Sequence, residues 1–179
     1  AHGADRVYVV EDAALADYQT AAYAQVVCDL ISEHKPQIVL YGATPMGRDL
    51  APFVASRMKA GLTADCTDLQ IGNHKPPGSE TEYENLLLQI RPAFGGNIIA
   101  TIVNYDRWPQ MATVREGVMP MPESDESRTG EIVACSAGLD GVELPLEILQ
   151  SERRERKVNL KAARVIVAGG AGVGSRENF

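Results

Sequence analysis

A glycine-rich run near the end of the chain carries the strongest signal for chemistry. Residues 163–168 (ARVIVA) are typical of an apolar strand, and Gly169, Gly170 and Gly172 follow it. Glycines after a strand let the backbone approach a pyrophosphate closely, and the N-terminus of a following helix attracts the anion. The run departs from the dinucleotide fingerprint because Ser175 stands at its third glycine, and no Lys completes a Walker A loop. A nucleotide loop and a plain tight turn therefore both fit the pattern.

A second possible anion site follows the short apolar strand at residues 37–41. Thr44 can cap the next helix, Pro45 suits its first position, and Arg48 lies in its first turn. A helix N-terminus beside a guanidinium suits a phosphate. A helix cap beside a surface ion pair is the alternative interpretation.

Two further arginines, Arg91 and Arg115, stand at the ends of apolar strands. A guanidinium there can bind a carboxylate or phosphate through paired hydrogen bonds, or contact a partner subunit. Asn97 closes a glycine-containing turn beside Arg91. These residues and Arg48 are candidates for an interface or an anion site, with solvated strand ends as the alternative.

Histidines and cysteines give no sign of a catalytic or metal site. The three histidines are scattered, and the three cysteines are odd in number, far apart and without a CxxC pair. We therefore expect no metal and no catalytic residue in this chain. The residues concerned are His2, His34, His74, Cys28, Cys66 and Cys135.

The composition limits the classes of partner. The 179 residues carry a formal net charge of −7 at pH 7, which disfavours a nucleic-acid backbone or an anionic membrane surface as partner. No apolar run approaches the roughly 20 residues that span a bilayer. We expect a cytoplasmic protein of bacterial type. Both ends of the sequence look cut, so a piece of a longer chain is expected.

The order of elements predicts the fold class. Apolar runs at residues 6–10 and 37–41 alternate with helical patterns at residues 17–34 and after Thr44, which is a βαβ arrangement with a parallel sheet. Strand-like segments without helices between them then follow at residues 63–71, 85–90, 97–103 and 112–115, and another is expected at residues 130–136. We predict an α/β protein, a three-layer α/β/α fold with a mainly parallel sheet and a strand-rich extension. A domain boundary is expected near residues 158–162.

Four motifs in this order resemble the alpha subunit of electron transfer flavoproteins. They are GATPMGRDLAPFVASRMKAGLTADCTDL at residues 42–69, RPAFGGNIIATI at 91–102, PQMATVREGVM at 109–119 and VIVAGGAGVGSRENF at 165–179. The resemblance covers nearly the whole chain. It implies that residues 1–160 are the N-terminal scaffold and docking domain, without the family's first strands, and that residues 161–179 begin a truncated FAD-binding domain.

The same resemblance implies a function and a set of partners. The alpha subunit pairs with a beta subunit and binds FAD, here through Gly169, Gly170 and Gly172. The heterodimer accepts electrons from flavin dehydrogenases such as acyl-CoA dehydrogenase, or from NADH, so the chain is an electron carrier component and not itself an enzyme. Many members carry an arginine where this sequence has Ala171, and Arg176 is the candidate to supply that charge.

Two alternatives come from other functional classes. The first is a stand-alone nucleotide-binding α/β domain that uses the turn from Thr44 to Arg48 for phosphate. The second is an interaction module without a ligand.

Overall fold

The computed structural model describes residues 2–152, 160 and 163–179. The chain divides into two compact units, Ala1–Glu147 and Ile148–Phe179. The expected domain boundary near residues 158–162 falls largely on residues outside the described ones. The division into a scaffold domain and the start of an FAD domain therefore stays a prediction.

The first unit begins with the predicted alternation of strands and helices. Its bounds are β1 Arg6–Val10, α1 Thr20–His34, β2 Ile38–Gly42, α2 Pro45–Met58 and β3 Leu62–Cys66. α1 starts three residues later than its pattern suggests. A separate 3₁₀ turn, Ala13–Leu15, precedes it, and in this turn the Asp12 carboxylate accepts the Ala14 N–H at 2.8 Å.

A strand-rich extension follows, as predicted. β4 Asp68–His74, β5 Tyr83–Ala93 and β6 Ile98–Ile102 form an antiparallel sheet in the order β4-β5-β6. The prediction of one strand over residues 63–71 was wrong, because β3 and β4 lie in different sheets. The chain changes sheet at Thr67, whose N–H donates to the Ile90 carbonyl at 2.9 Å.

The remaining strands make the sheets mainly parallel, which confirms that expectation. β7 Gln110–Val114 lies between β2 and β3 and is parallel to both. β8 Glu131–Cys135 pairs in parallel with β1. The carboxyl ends of β2, β7 and β3 consequently meet at one edge of their sheet.

Alternation along β7 places its side chains in two different layers. Met111 is fully buried against Val54 of α2 and Ile31 of α1. The next residue, Ala112, faces the other way and packs with Leu87 of the extension. The helices thus cover one face of the parallel sheet and the extension contacts the other, in agreement with the α/β fold class.

The second unit holds no strand at residues 163–168, contrary to the prediction. Val165, Ile166 and Val167 are 81%, 58% and 77% exposed. A strand needs a neighbour to pair its backbone groups, and none of the described residues supplies one. Two 3₁₀ turns, Ala171–Val173 and Arg176–Asn178, stand where the sequence predicts a loop leading into a helix.

Candidate functional site

Asp65 gathers two of the predicted arginines at the carboxyl edge of the parallel sheet. Its Oδ1 accepts a hydrogen bond from Arg48 Nη2 at 2.8 Å, and its Oδ2 accepts one from Arg115 Nη2 at 2.7 Å. The three residues come from the first turn of α2, the end of β3 and the residue after β7. The carboxylate is therefore shared between two guanidinium groups that the fold brings together.

The backbone of Asp65 is specialised for this position. Its φ is +65°, a left-handed conformation that aspartate tolerates better than most residues. The pairing of β3 with β7 is irregular between Thr63 and Cys66, and the Asp65 N–H donates to Thr113 Oγ1 at 2.8 Å. The Thr113 hydroxyl on β7 thus takes the place of a backbone acceptor that regular strand pairing would supply. This contact fixes the direction of the Asp65 carboxylate.

The N-terminus of α2 positions Arg48 as the sequence predicts. Thr44 is the cap, and its Oγ1 accepts the Gly47 N–H at 3.1 Å, while Pro45 takes the first helical position. Arg48 Nε also donates to the Ala43 carbonyl at 2.9 Å, so its guanidinium is held at two points.

Removal of the Thr44 cap tests how much this hydrogen bond at the start of α2 contributes to stability. We expect Thr44→Ala to lower the free energy of unfolding by about 1 kcal/mol, because the Gly47 N–H loses its acceptor. Thr44→Ser keeps the hydroxyl and should cost much less. Urea unfolding of both variants measures the difference, and equal stability of Thr44→Ala and the parent chain would contradict it.

The charge of Arg91 acts on the same carboxylate. The hydrogen bond from Arg115, aided by the charges of Arg48 and Arg91, lowers the pKa of the Asp65 carboxyl below its usual value. Arg91 forms no ion pair with any described residue, and its Nε reaches only the Pro92 carbonyl at 3.5 Å. Two guanidinium groups therefore share one carboxylate, on an open surface where the Arg48 and Arg115 side chains are 55% and 45% exposed.

The turn between β5 and β6 adds an apolar edge beside Arg91. Phe94 and Gly95 adopt left-handed conformations in the 3₁₀ turn Phe94–Gly96, and the Phe94 side chain is 82% exposed. Ile98, the first residue of β6, is 53% exposed, and Asn97 between them is also exposed. Asn97 thus lies on the surface of this turn, with no contact that joins it to Arg48, Arg91 or Arg115 among the described residues.

The predicted flavin loop lies in the second unit and has an open, glycine-lined surface. A cavity of about 480 Å³ is lined by Gly169 and Gly170, by Arg176 and by Phe179, among others. A Cβ added at Gly170 or Gly172 would meet nothing within 4 Å, so the backbone there is accessible to a ligand. A Cβ at Gly169 would lie 2.4 Å from the Phe179 ring. Accessible glycine backbone beside a guanidinium fits one edge of a pyrophosphate-containing cofactor.

Three further observations concern metal ligands, thiols and membrane helices in the part of the chain that the structure describes. No group of three potential metal ligands exists among these residues. Cys28, Cys66 and Cys135 form no disulfide with one another, and burial raises the pKa of the Cys66 thiol. No described helix is long and apolar enough to cross a membrane.

Comparison with known proteins identifies the family. The family model described as electron transfer flavoprotein domain matches residues 1–139. The chain is 45% identical over 178 residues to an electron transfer flavoprotein subunit alpha of Thermoanaerobacterium thermosaccharolyticum, and 44% identical over 180 residues to one of Megasphaera elsdenii. It is 43% identical over 180 residues to Protein FixB of Azorhizobium caulinodans.

These similarities cover 99%, 100% and 99% of the chain and 51%, 51% and 46% of the relatives. The chain therefore spans about half the length of the curated relatives that it matches. None of these relatives supports a stand-alone nucleotide-binding domain at Thr44–Arg48. With its α/β fold and its family-model match over residues 1–139, this chain belongs to the electron transfer flavoprotein domain family.

Proposed function

We propose that the chain is part of the alpha subunit of a heterodimeric, FAD-containing electron carrier. The carrier takes electrons from flavin dehydrogenases, such as acyl-CoA dehydrogenase, or from NADH, and passes them to an acceptor in the cytoplasm. The observation that supports this most directly is the 45% identity to an alpha subunit over nearly the full length of this chain. The alpha subunit's partner in this proposal is a beta subunit.

Residues 169–176 would hold one edge of the flavin cofactor. Gly170 and Gly172 present accessible backbone, and Gly169 and Arg176 line the cavity that also contains Gly170. FAD, when bound, supplies the electron-accepting ring, and the protein contributes binding, orientation and electrostatics.

Flavin binding by two lengths of the subunit tests the proposal. We expect a full-length alpha subunit, purified with its beta subunit, to carry stoichiometric FAD and to be reduced by a flavin dehydrogenase and its substrate. The 179-residue chain should bind FAD weakly or not at all, since residues 163–179 provide only one edge of the site. A heterodimer free of flavin, or a stoichiometric yellow complex of the short chain, would contradict these expectations.

Arg176 provides a test at the level of one residue. In the full-length subunit, Arg176→Ala should weaken FAD binding about tenfold and lower the flavin reduction potential, because a guanidinium favours both the phosphate and the reduced, anionic ring. Arg164→Ala is the matched control, since Arg164 is an exposed arginine of the same unit outside the glycine loop. Equilibrium dialysis and redox titration measure both effects, and the role of Arg176 fails if neither quantity changes.

A further inference from the structure

The contact between the strand-rich extension and the parallel sheet contains glutamine side chains as well as apolar ones. Gln89 of β5 and Gln110 of β7 are both fully buried. Gln110 Oε1 accepts the Leu87 N–H at 2.8 Å. The neighbouring strand β6 has already ended at this point, because its last residue, Ile102, lies opposite Gln89. The Gln110 side chain therefore joins β7 to β5 directly, from one sheet to the other.

Several amide atoms at this contact have no hydrogen-bond partner among the described residues. They are Oε1 and Nε2 of Gln89, Nε2 of Gln110 and Nδ2 of Asn104, and all of them are buried. A buried polar atom without a partner carries the full cost of its desolvation, so native proteins contain few such atoms. Their concentration in three side chains at one contact indicates a bound molecule that pairs with them.

Gln89 and Gln110 lie at the same place in the fold. Gln89 is two residues after Leu87, whose N–H is bound by Gln110. Alternation along β5 directs the side chains of Leu87 and Gln89 to one face, the face on which Leu87 packs with Ala112 of the parallel sheet. The Cα atoms of Leu87 and Gln89 are about 7 Å apart along the strand, a span that a water molecule between two flexible side-chain amides can bridge.

Asn104 approaches this place from the chain segment that follows β6. A Cβ at Gly61 would collide with the Asn104 side chain, so these two residues are in direct contact. The Gly61 carbonyl accepts the N–H of Met111, the residue next to Gln110. Asn104 therefore lies beside the amino end of β7, where Gln110 begins the strand.

The chemistry of the unpaired atoms favours water over an ion. The Nε2 and Nδ2 atoms donate hydrogen bonds and Gln89 Oε1 accepts them, and a water molecule can do both. A buried water makes about three hydrogen bonds, a number that these side chains can supply. An anion would pair only with the donors, and because none of the three side chains carries a charge, its own charge would be buried at a large cost.

We propose that Gln89, Gln110 and Asn104 form an internal hydration site, in which at least one ordered water molecule joins the extension to the parallel sheet. The water accepts hydrogen bonds from Gln110 Nε2 and Asn104 Nδ2 and donates one to Gln89 Oε1. Gln110 then holds β5 twice, directly at the Leu87 N–H and through water at Gln89. The inference concerns the scaffold and does not depend on the flavin chemistry of the proposed function.

A crystal structure of the full-length subunit, at a resolution that shows ordered water, tests the site directly. We expect a water molecule within about 3 Å of Gln89 Oε1 and of Gln110 Nε2 or Asn104 Nδ2. Crystals soaked in sodium bromide distinguish water from an anion, and an anomalous bromide peak at this position would overturn the inference. Direct hydrogen bonds from the Gln89 amide to other protein groups, with no water between them, would overturn it as well.

Gln89→Met tests the site in solution, because the direction of its effect depends on whether the amide is paired. Methionine has a similar length and adapts to irregular spaces in a core. If water pairs the amide, the variant loses these hydrogen bonds, and the unfolding equilibrium constant of the full-length subunit should rise about tenfold. If the amide is truly unpaired, removal of two buried polar atoms should lower that constant. An unchanged or lower constant therefore contradicts the proposal.

Gln70→Met is the matched control, because Gln70 is an exposed residue of β4 in the same antiparallel sheet. It makes the same chemical change outside the site, and its unfolding equilibrium constant should stay within about threefold of the parent value. Urea unfolding gives the constants, and circular dichroism shows that each variant is folded before urea is added.

Discussion

Gly47→Ala should lower the free energy of unfolding by about 3 kcal/mol or more, the largest effect of a single methyl group that this structure predicts. A Cβ at Gly47 would lie 1.9 Å from the carbonyl oxygen of Gly42, a backbone atom at the end of β2. Helix propensity opposes this effect, because alanine is favoured over glycine by about 1 kcal/mol inside a helix. The overlap is so severe that the helix must move away from the strand, and we expect that movement to dominate.

Gly61→Ala is the appropriate comparison for this variant. Its Cβ would lie 2.4 Å from Asn104 Oδ1, the end of a side chain that can rotate away, so we expect a loss of only about 1 kcal/mol. Urea unfolding of both variants at one pH measures the two changes. A Gly47→Ala variant within 1 kcal/mol of the parent chain would show that α2 does not need this close approach.

Gly47 and its neighbours also show where sequence reasoning succeeds. The start of α2 is determined by residues close together in the chain, since Thr44 caps the N–H of Gly47 and proline takes the first position. The end of the same helix is less well specified by such signals. Gly61 is the natural candidate for the left-handed residue there, but Lys59 adopts that conformation, with φ of +52°. Lys59 lies two residues before Gly61, and its N–H donates to the carbonyls of Ala55 and Ser56 at the end of α2.

The ion pairs of Asp65 could not be predicted from the sequence, for a different reason. Its partners Arg48 and Arg115 lie 17 and 50 residues away, and only the order of β2, β7 and β3 in the sheet brings them together. The sequence predicts that Arg48 lies at a helix start and Arg115 at a strand end, but it does not predict that the two residues are close in space. A weak signal did exist, since Asp65 lies between Ala64 and Cys66 inside the predicted strand segment, and aspartate disfavours strands.

The split of residues 63–71 into two strands has only a weak sign in the sequence. No glycine or proline marks a break, and the alternation of apolar and polar residues is interrupted only by the two consecutive polar residues Thr67 and Asp68. The break arises because the end of β3 must pair with β7 while β4 must pair with β5. Pairing partners are a property of the tertiary structure, and the strand pattern alone does not contain them.

Neutralising Asp65 should have the second large effect, and its dependence on pH should identify the cause. We expect Asp65→Asn to lower the free energy of unfolding at pH 7 by about 2 kcal/mol, a value discounted for the partial exposure of both arginines. Asparagine keeps the shape of the side chain and tolerates the left-handed backbone, so the loss reports the charge. Asp65→Gly removes the carboxylate while relieving the backbone, and it should cost a similar amount.

The hydrogen bond from Arg115 and the charges of the arginines lower the pKa of Asp65 in the folded chain. In the unfolded chain this carboxyl has a pKa of about 3.9. Because the folded state binds the proton less readily, the stabilisation is fully present above that value and is lost as the pH falls through the lower, folded pKa. The stability difference between the parent and Asp65→Asn should therefore be constant from about pH 8 to pH 5 and shrink below about pH 4. Urea unfolding across this range measures it, and a difference that persists unchanged in acid would mean that the carboxylate charge is not what holds Arg48 and Arg115 in place.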